Sequence, residues 1–274
     1  MCVPGCMEMV HKRLGRRAVF GGAGALATTA ALTAVGSSPV RAQPSGSFTS
    51  VVDMTHTLGV DFPTYFGEPQ FEMTRLAGFD ENGFNMFEWR VVEHTGTHMD
   101  APIHFSGDGA TADQIPVEQL VVPLVVVDIS ARAASDPDAQ VMPADLEAFE
   151  AEHGRIPAGA CVAMNSGWAQ HVATDMFRNA DADGVMHFPG FHVDAAQWML
   201  DRGDIIGMAV DTLSLDYGAS ADFATHYRWL PAGRWGMECI ANLDQVPPVG
   251  ATLVVGGPKV QGATGGPSRL IALV

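Results

Sequence analysis

The chain has 274 residues, 47% hydrophobic and 17% charged, a mixture that excludes a disordered or fibrous protein and fits one domain or at most two. Its 15 Lys and Arg against 31 Asp and Glu give a formal charge of −16, yet the first 42 residues hold five of those bases (Lys12, Arg13, Arg16, Arg17, Arg41) and only one acid, Glu8. The remaining 10 bases and 30 acids carry −20, a field that repels phosphate backbones and anionic lipid and so excludes nucleic-acid partners.

Residues 1–42 read as an address rather than as structure. A basic cluster precedes a weakly apolar run, Ala18 to Val35, and the small residues around Pro39-Val40-Arg41-Ala42 suit signal peptidase. Gly15-Arg16-Arg17-Ala18-Val19-Phe20 resembles a twin-arginine export signal, with an ordinary secretory signal as the alternative. Either way the mature chain, 43–274, is expected in the periplasm or outside the cell. The run is too rich in Ala and Gly for a transmembrane helix, and no cysteine follows the cleavage site to take a lipid, so membrane anchoring is not expected. Cys2 and Cys6 would leave with the signal, and Cys161 and Cys239 read as buried small hydrophobes rather than a disulfide framework.

Downstream, short apolar runs alternate with helix-like stretches, punctuated by Gly and Pro. Val121 to Ile129 reads as a buried strand, Ala144 to His153 as a helix ending before Gly154, and Ala160 to Asn165 as a strand leading to a turn at Ser166-Gly167. Asp194 to Arg202 reads as a helix capped by Asp194, Ile205 to Val210 as a strand, and Thr252 to Val255 and Leu270 to Leu273 as late strands. Strands outnumber long helices, which predicts a single mixed α/β domain.

The chemistry concentrates in residues 93–105, Glu-His-Thr-Gly-Thr-His-Met-Asp-Ala-Pro-Ile-His-Phe. Gly96 and Pro102 oppose a helix, so an extended backbone is expected, on which His94, His98, Asp100 and His104 share one face. Three imidazoles and a carboxylate form a ligand set suited to zinc or manganese. Scattered surface histidines are the bland alternative, disfavoured by three within eleven positions on one face. Ligands from elsewhere should close the site. His226 and Glu238 are the candidates, because a carboxylate among apolar neighbours needs a cation nearby.

His94-Thr-Gly-Thr-His98-Met-Asp100-Ala-Pro-Ile-His104 is similar to the signature of the cyclase-like metal hydrolases, which include bacterial kynurenine formamidases (arylformamidases) and isatin hydrolases. The similarity runs from about Val52 to the C-terminus and includes Phe62-Pro63-Thr64-Tyr65, Phe188-Pro189-Gly190, Val210 to Asp216, and Gly266-Pro267-Ser268-Arg269. The resemblance implies a compact β/β/α domain of swivelling type with a mixed sheet, usually assembled into homodimers or homotetramers with pockets near subunit contacts. It also implies His94, His98 and Asp100 as first-metal ligands, His104 as the proton-transfer residue, and His226 and Glu238 as ligands completing a two-metal centre. Isatin hydrolase-like members depart at the Glu position and hold one manganese, so Glu238 keeps a two-ion centre open. Phe66 stands where formamidases often carry proline, which changes the pocket rim.

The expected reaction is hydrolysis of a small aryl-formamide or cyclic amide by metal-activated water, with His104 carrying the proton to the leaving nitrogen. Flat apolar walls are needed, and Phe62, Tyr65 and Trp89 are the expected substrate contacts. The alternatives are hydrolysis of a lactone or other cyclic ester, and a periplasmic metal- or ligand-binding protein without turnover. An intact His104 disfavours the last.

Overall fold

A computed structural model describes residues 48–274; the signal read over residues 1–42 lies outside them. In chain order the strands are β1 (Val51–Asp53), β2 (Phe71–Ala77), β3 (Met86–Val91), β4 (His98–Asp100), β5 (Val121–Asp128), β6 (Gln140–Val141) and β7 (Cys161–Asn165). They continue with β8 (Gly190–Phe191), β9 (Gly207–Val210), β10 (Trp235–Glu238), β11 (Ala251–Gly256), β12 (Gly265–Pro267) and β13 (Arg269–Leu273). The helices longer than one turn are α1 (Pro143–His153), α2 (Val193–Arg202) and α3 (Ala224–Trp229).

Nine strands form one mixed sheet in the order β1-β13-β11-β5-β7-β9-β10-β4-β12. Its centre, β5-β7-β9-β10, is parallel, and every other pairing is antiparallel. The Val-rich run of β5 follows from burial on both faces. Val125 and Val127 pack with α1 and α2 through Leu146, Phe149, Ala195, Ala196 and Met199, whereas Val122, Leu124 and Val126 face Leu253, Leu270 and Ala272 of the antiparallel side. Among the described residues no helix is long and apolar enough to cross a membrane. The mixed α/β domain read from the sequence is the observed class.

The expected strands and helices appear with ends shifted by a residue or two. The cap of α2 is a correction: His192, not Asp194, is the N-cap, and its Nδ1 accepts from the Asp194 amide at 3.1 Å. Asp194 lies instead in the first turn, where a carboxylate favours the helix dipole. Absent from the sequence reading were β1, β6, β8, β10, β12 and a separate ribbon in which β2 pairs only with β3. That ribbon is amphipathic. Phe71, Met73 and Arg75 lie opposite Val91, Trp89 and Phe87 on one face, and Glu72 and Thr74 lie opposite Arg90 and Glu88 on the other.

Candidate metal centre

The centre is built where β4 lies between β10 and β12. Within β4 the period of two sends His98 and Asp100 to one side and Met99 to the core. The β4–β10 register sets Glu238 directly opposite His98 and Gly236 opposite Asp100; on the other side Gly265 also faces Asp100. Two glycines therefore flank Asp100, and the space their Cβ atoms would take is occupied by Leu215 beside Gly236 and by the His94 ring beside Gly265.

The expected extended ribbon over 93–105 is corrected. Only His98–Asp100 is strand: Gly96 takes a left-handed φ of +71°, and Pro102–Phe105 forms a 3₁₀ turn in which the His104 amide donates to Ala101 O at 2.9 Å. A fully extended chain advances about 3.3 Å per residue, so ten residues would place His94 and His104 about 33 Å apart on a common face, never at a common point. The turns at both ends bring them together, and the two rings stack with centroids 3.7 Å apart.

His226 arrives on α3. Asp216, in the loop after β9, accepts from the Thr225 and His226 amides at 2.8 and 3.1 Å and from His226 Nδ1 at 2.6 Å. One carboxylate thus starts the helix and turns the imidazole, leaving Nε2 facing inward, 3.0 Å from Glu238 Oε1 and 3.5 Å from Asp100 Oδ2. His98 donates from Nδ1 to Gly96 O at 2.8 Å, so its Nε2 also faces inward, 3.4 Å from Asp100 Oδ1 and 3.3 Å from Glu238 Oε2. His94 Nδ1 lies 2.7 Å from Asp100 Oδ1. The five sequence-predicted ligands, together with His104, are therefore assembled in one place.

The residues fit a divalent cation. His98, Asp100, His226 and Glu238 are all at most 5% exposed, and His98 Nε2 and Asp100 Oδ2 are buried with no hydrogen-bond partner. Buried acceptors pointed at one another are costly unless a cation lies among them. His94, Asp100 and His104, and separately His98, Asp100 and Glu238, each bring three ligand atoms within 4.8 Å of one another. Burial would push His98 down, but the Asp100 and Glu238 carboxylates outweigh it and hold the ring up at about 10. Burial would likewise raise Asp100, and its three histidine partners keep it well below the usual carboxylate range. A proton on these rings and a metal ion are alternative ways of balancing the same negative charge.

Above the centre opens a cavity of about 300 Å³ with His94, His98, His104, His226 and Glu238 at its floor and Tyr65, Phe66, Phe105 and Phe223 among its walls. Tyr65 stacks edge-on with Phe66 at 5.4 Å, and Phe105 lies 5.6 Å from Phe223 and 4.6 Å from the His226 ring. Of the expected substrate contacts, Tyr65 lines this cavity and two do not. Phe62 is buried against Phe177 and His56 instead, while Tyr65 and Phe66 reach the cavity from a turn closed by the Gly67 amide on Thr64 O at 3.1 Å. Trp89 is 69% exposed on the β2–β3 ribbon, its ring on Phe71.

Phe105, next to His104, was recoverable from the motif. Phe223 carried no local signal. It takes a left-handed φ of +51° and Cys239, beside Glu238, one of +53°, conformations that cost bulky residues about 1–2 kcal/mol and that here place two cavity walls.

The sequence model of the family described as putative cyclase matches residues 52–217. The chain belongs to this family. This cyclase-family chain is 35% identical over 243 residues to an isatin hydrolase of Roseibium aggregatum, covering 82% of this chain and 91% of that one. It is 27% identical over 205 residues to a kynurenine formamidase of Salinibacter ruber, covering 74% and 87%. Among solved structures, an isatin hydrolase bound to the product analogue thioisatinate superposes with a TM-score of 0.77 at 33% identity, over 82% of this chain and 92% of that one. His226 and Glu238 lie beyond the segment that the family model matches.

Proposed function

We propose that this cyclase-family protein is a divalent-metal-dependent amidohydrolase that cleaves a small aryl amide, either an aryl-formamide or a cyclic amide fused to an aromatic ring. The observation that carries the reading is a buried histidine–carboxylate set at the floor of a cavity walled by Tyr65, Phe66, Phe105 and Phe223. The relatives support the substrate class: an isatin hydrolase and a kynurenine formamidase both act on amides borne by an aromatic ring.

His94, His98, Asp100, His226 and Glu238 would hold zinc or manganese, and the ion supplies Lewis acidity to the amide carbonyl and acidifies water. The two oxygens of Glu238 face His226 and His98, while Asp100 turns Oδ1 to His94 and His98 and Oδ2 to His226, so both carboxylates would contribute to holding the cation. The aromatic walls hold the planar substrate and exclude bulk water. His104 handles the proton. Burial pushes it down to about 4, so at neutral pH its ring is uncharged, and a proton it accepts at the cavity floor is held weakly and passes readily to the departing nitrogen.

The test is a hydrolysis screen of the metal-stripped and metal-loaded full-length protein against isatin, N-formylkynurenine and simple lactones. Turnover of isatin or N-formylkynurenine only when loaded is the expected result. Preference for lactones would move the assignment to ester hydrolysis, and tight metal binding with no turnover would leave a binding protein. His104→Ala should retain the metal and lose about 10²-fold or more in kcat; unchanged kcat would remove His104 from the reaction.

A further inference from the structure

His98 and His226 rest their outward nitrogens on a carbonyl and a carboxylate, Gly96 O and Asp216. His94 does neither. Its Nε2 lies 2.9 Å from Thr264 Oγ1, while the Thr264 hydroxyl is hydrogen-bonded to Glu93 Oε2, which also accepts from the Thr264 amide at 3.2 Å. A hydroxyl has one proton to give, and a carboxylate only accepts. The Thr264 proton therefore goes to Glu93, and Thr264 Oγ1 meets His94 only as an acceptor. That assigns the imidazole proton to Nε2. Nδ1 is left facing Asp100 Oδ1 at 2.7 Å, a place held either by a second ring proton or, once that proton is lost, by a cation between the two atoms.

We propose that Glu93 and Thr264 are positioning residues of the metal centre, a hydroxyl–carboxylate pair that commits His94 to bind through Nδ1 while His98 and His226 bind through Nε2. The pair is set against the ring by the neighbouring residue: a Cβ on Gly265 would come within 2.7 Å of His94 Cε1 and 2.1 Å of Met99 O. The His94 ring is further fixed by its stack on His104. Glu93 touches no ligand atom directly in this arrangement and acts through Thr264, which gives the proposal a particular energetic signature.

The proposal rests on the metal reading, and calorimetry separates the two. Mn²⁺, and in a second series Zn²⁺, is titrated into the metal-stripped full chain as wild type, Thr264→Val, Thr264→Ser, Glu93→Ala and the Glu93→Ala/Thr264→Val double variant, with thermal unfolding of each ion-free form as the check on folding. The expected result is a loss of about 10- to 100-fold in affinity for Thr264→Val, recovery by Thr264→Ser, a loss for Glu93→Ala, and no further loss in the double variant. Wild-type affinity in Thr264→Val, or losses that simply multiply in the double variant, would overturn it. Should Thr264→Val not fold, wild-type affinity in Glu93→Ala would do the same. A wild type that binds neither ion sinks the metal reading itself and this proposal with it. In the zinc-loaded wild type, imidazole ¹⁵N resonances should place the His94 proton on Nε2; a proton on Nδ1 rejects the assignment.

Discussion

Asp211, at the end of β9, shows how a single side chain sets a pH dependence away from the metal. Its carboxylate is 1% exposed and accepts from the Ser166 amide and hydroxyl and from the Trp168 amide, yet burial outweighs those donors and raises it from 3.8 to about 6. Below pH 3.8 the folded and unfolded forms are both protonated and the residue costs nothing. As pH rises, the unfolded chain gives up this proton first, so a stability contribution that is whole in acid is lost by the time pH passes about 6. The separation of the two values corresponds to about 3 kcal/mol. Asp211→Asn should therefore destabilise the protein more at pH 4 than at pH 7, by up to that amount, in urea unfolding. An equal effect at both pH values would mean that the native residue is ionised throughout. At this scale the motif residues were legible, because His94, His98, Asp100 and His104 are close in sequence. His226 and Glu238 are brought in by α3 and by strand register, and only the family resemblance pointed firmly to them.

The β2–β3 ribbon is the element that sequence alone hid. No strand was read there, although Met73, Phe87 and Trp89 alternate with polar residues, since short alternations are easily read as loop. All of β3 is exposed, and Met73, Phe87 and Trp89 are 49, 46 and 69% accessible on one face. An isolated two-stranded ribbon is marginal in water, and an apolar face of this kind is normally covered. On a body carrying −20, this face offers a contact free of much of the mutual charge repulsion. A second copy of the chain is expected there, giving a homodimer or homotetramer, as the resemblance implied. Gln70 and Val92, at the root of the ribbon, line the cavity, so association would also reach the substrate entrance. Light scattering should give a mass of two or four chains for the wild type and a lower mass for Phe87→Glu/Trp89→Glu. A monomeric wild type would refute this. By contrast β5, β7 and β9 were legible because both faces are buried and their apolar runs are continuous, while β10, four residues with Gly and Glu among them, gave no pattern.

Across the whole molecule, the proposed metal ligands come from two regions far apart in the chain: residues 94–100, and the stretch from α3 to the end of β10. An ion held there links parts of the chain that would otherwise meet only through packing. Loading at about a thousand times Kd is worth about 4 kcal/mol, which for a domain of this size raises Tm by on the order of 10 °C. Differential scanning calorimetry of stripped and loaded protein checks this, and an unchanged Tm would mean that the ion binds the unfolded chain equally well or not at all. Across the same sheet, β12 forms the outer edge beside the centre with only Gly265, Gly266 and Pro267, paired to β4. Proline has no amide hydrogen to offer a further strand, and a run this short presents almost no ladder. The edge of the sheet beside the proposed metal centre is thereby a poor template for a further strand, whereas β1 at the opposite margin, equally short, keeps its amide hydrogens and relies on brevity alone.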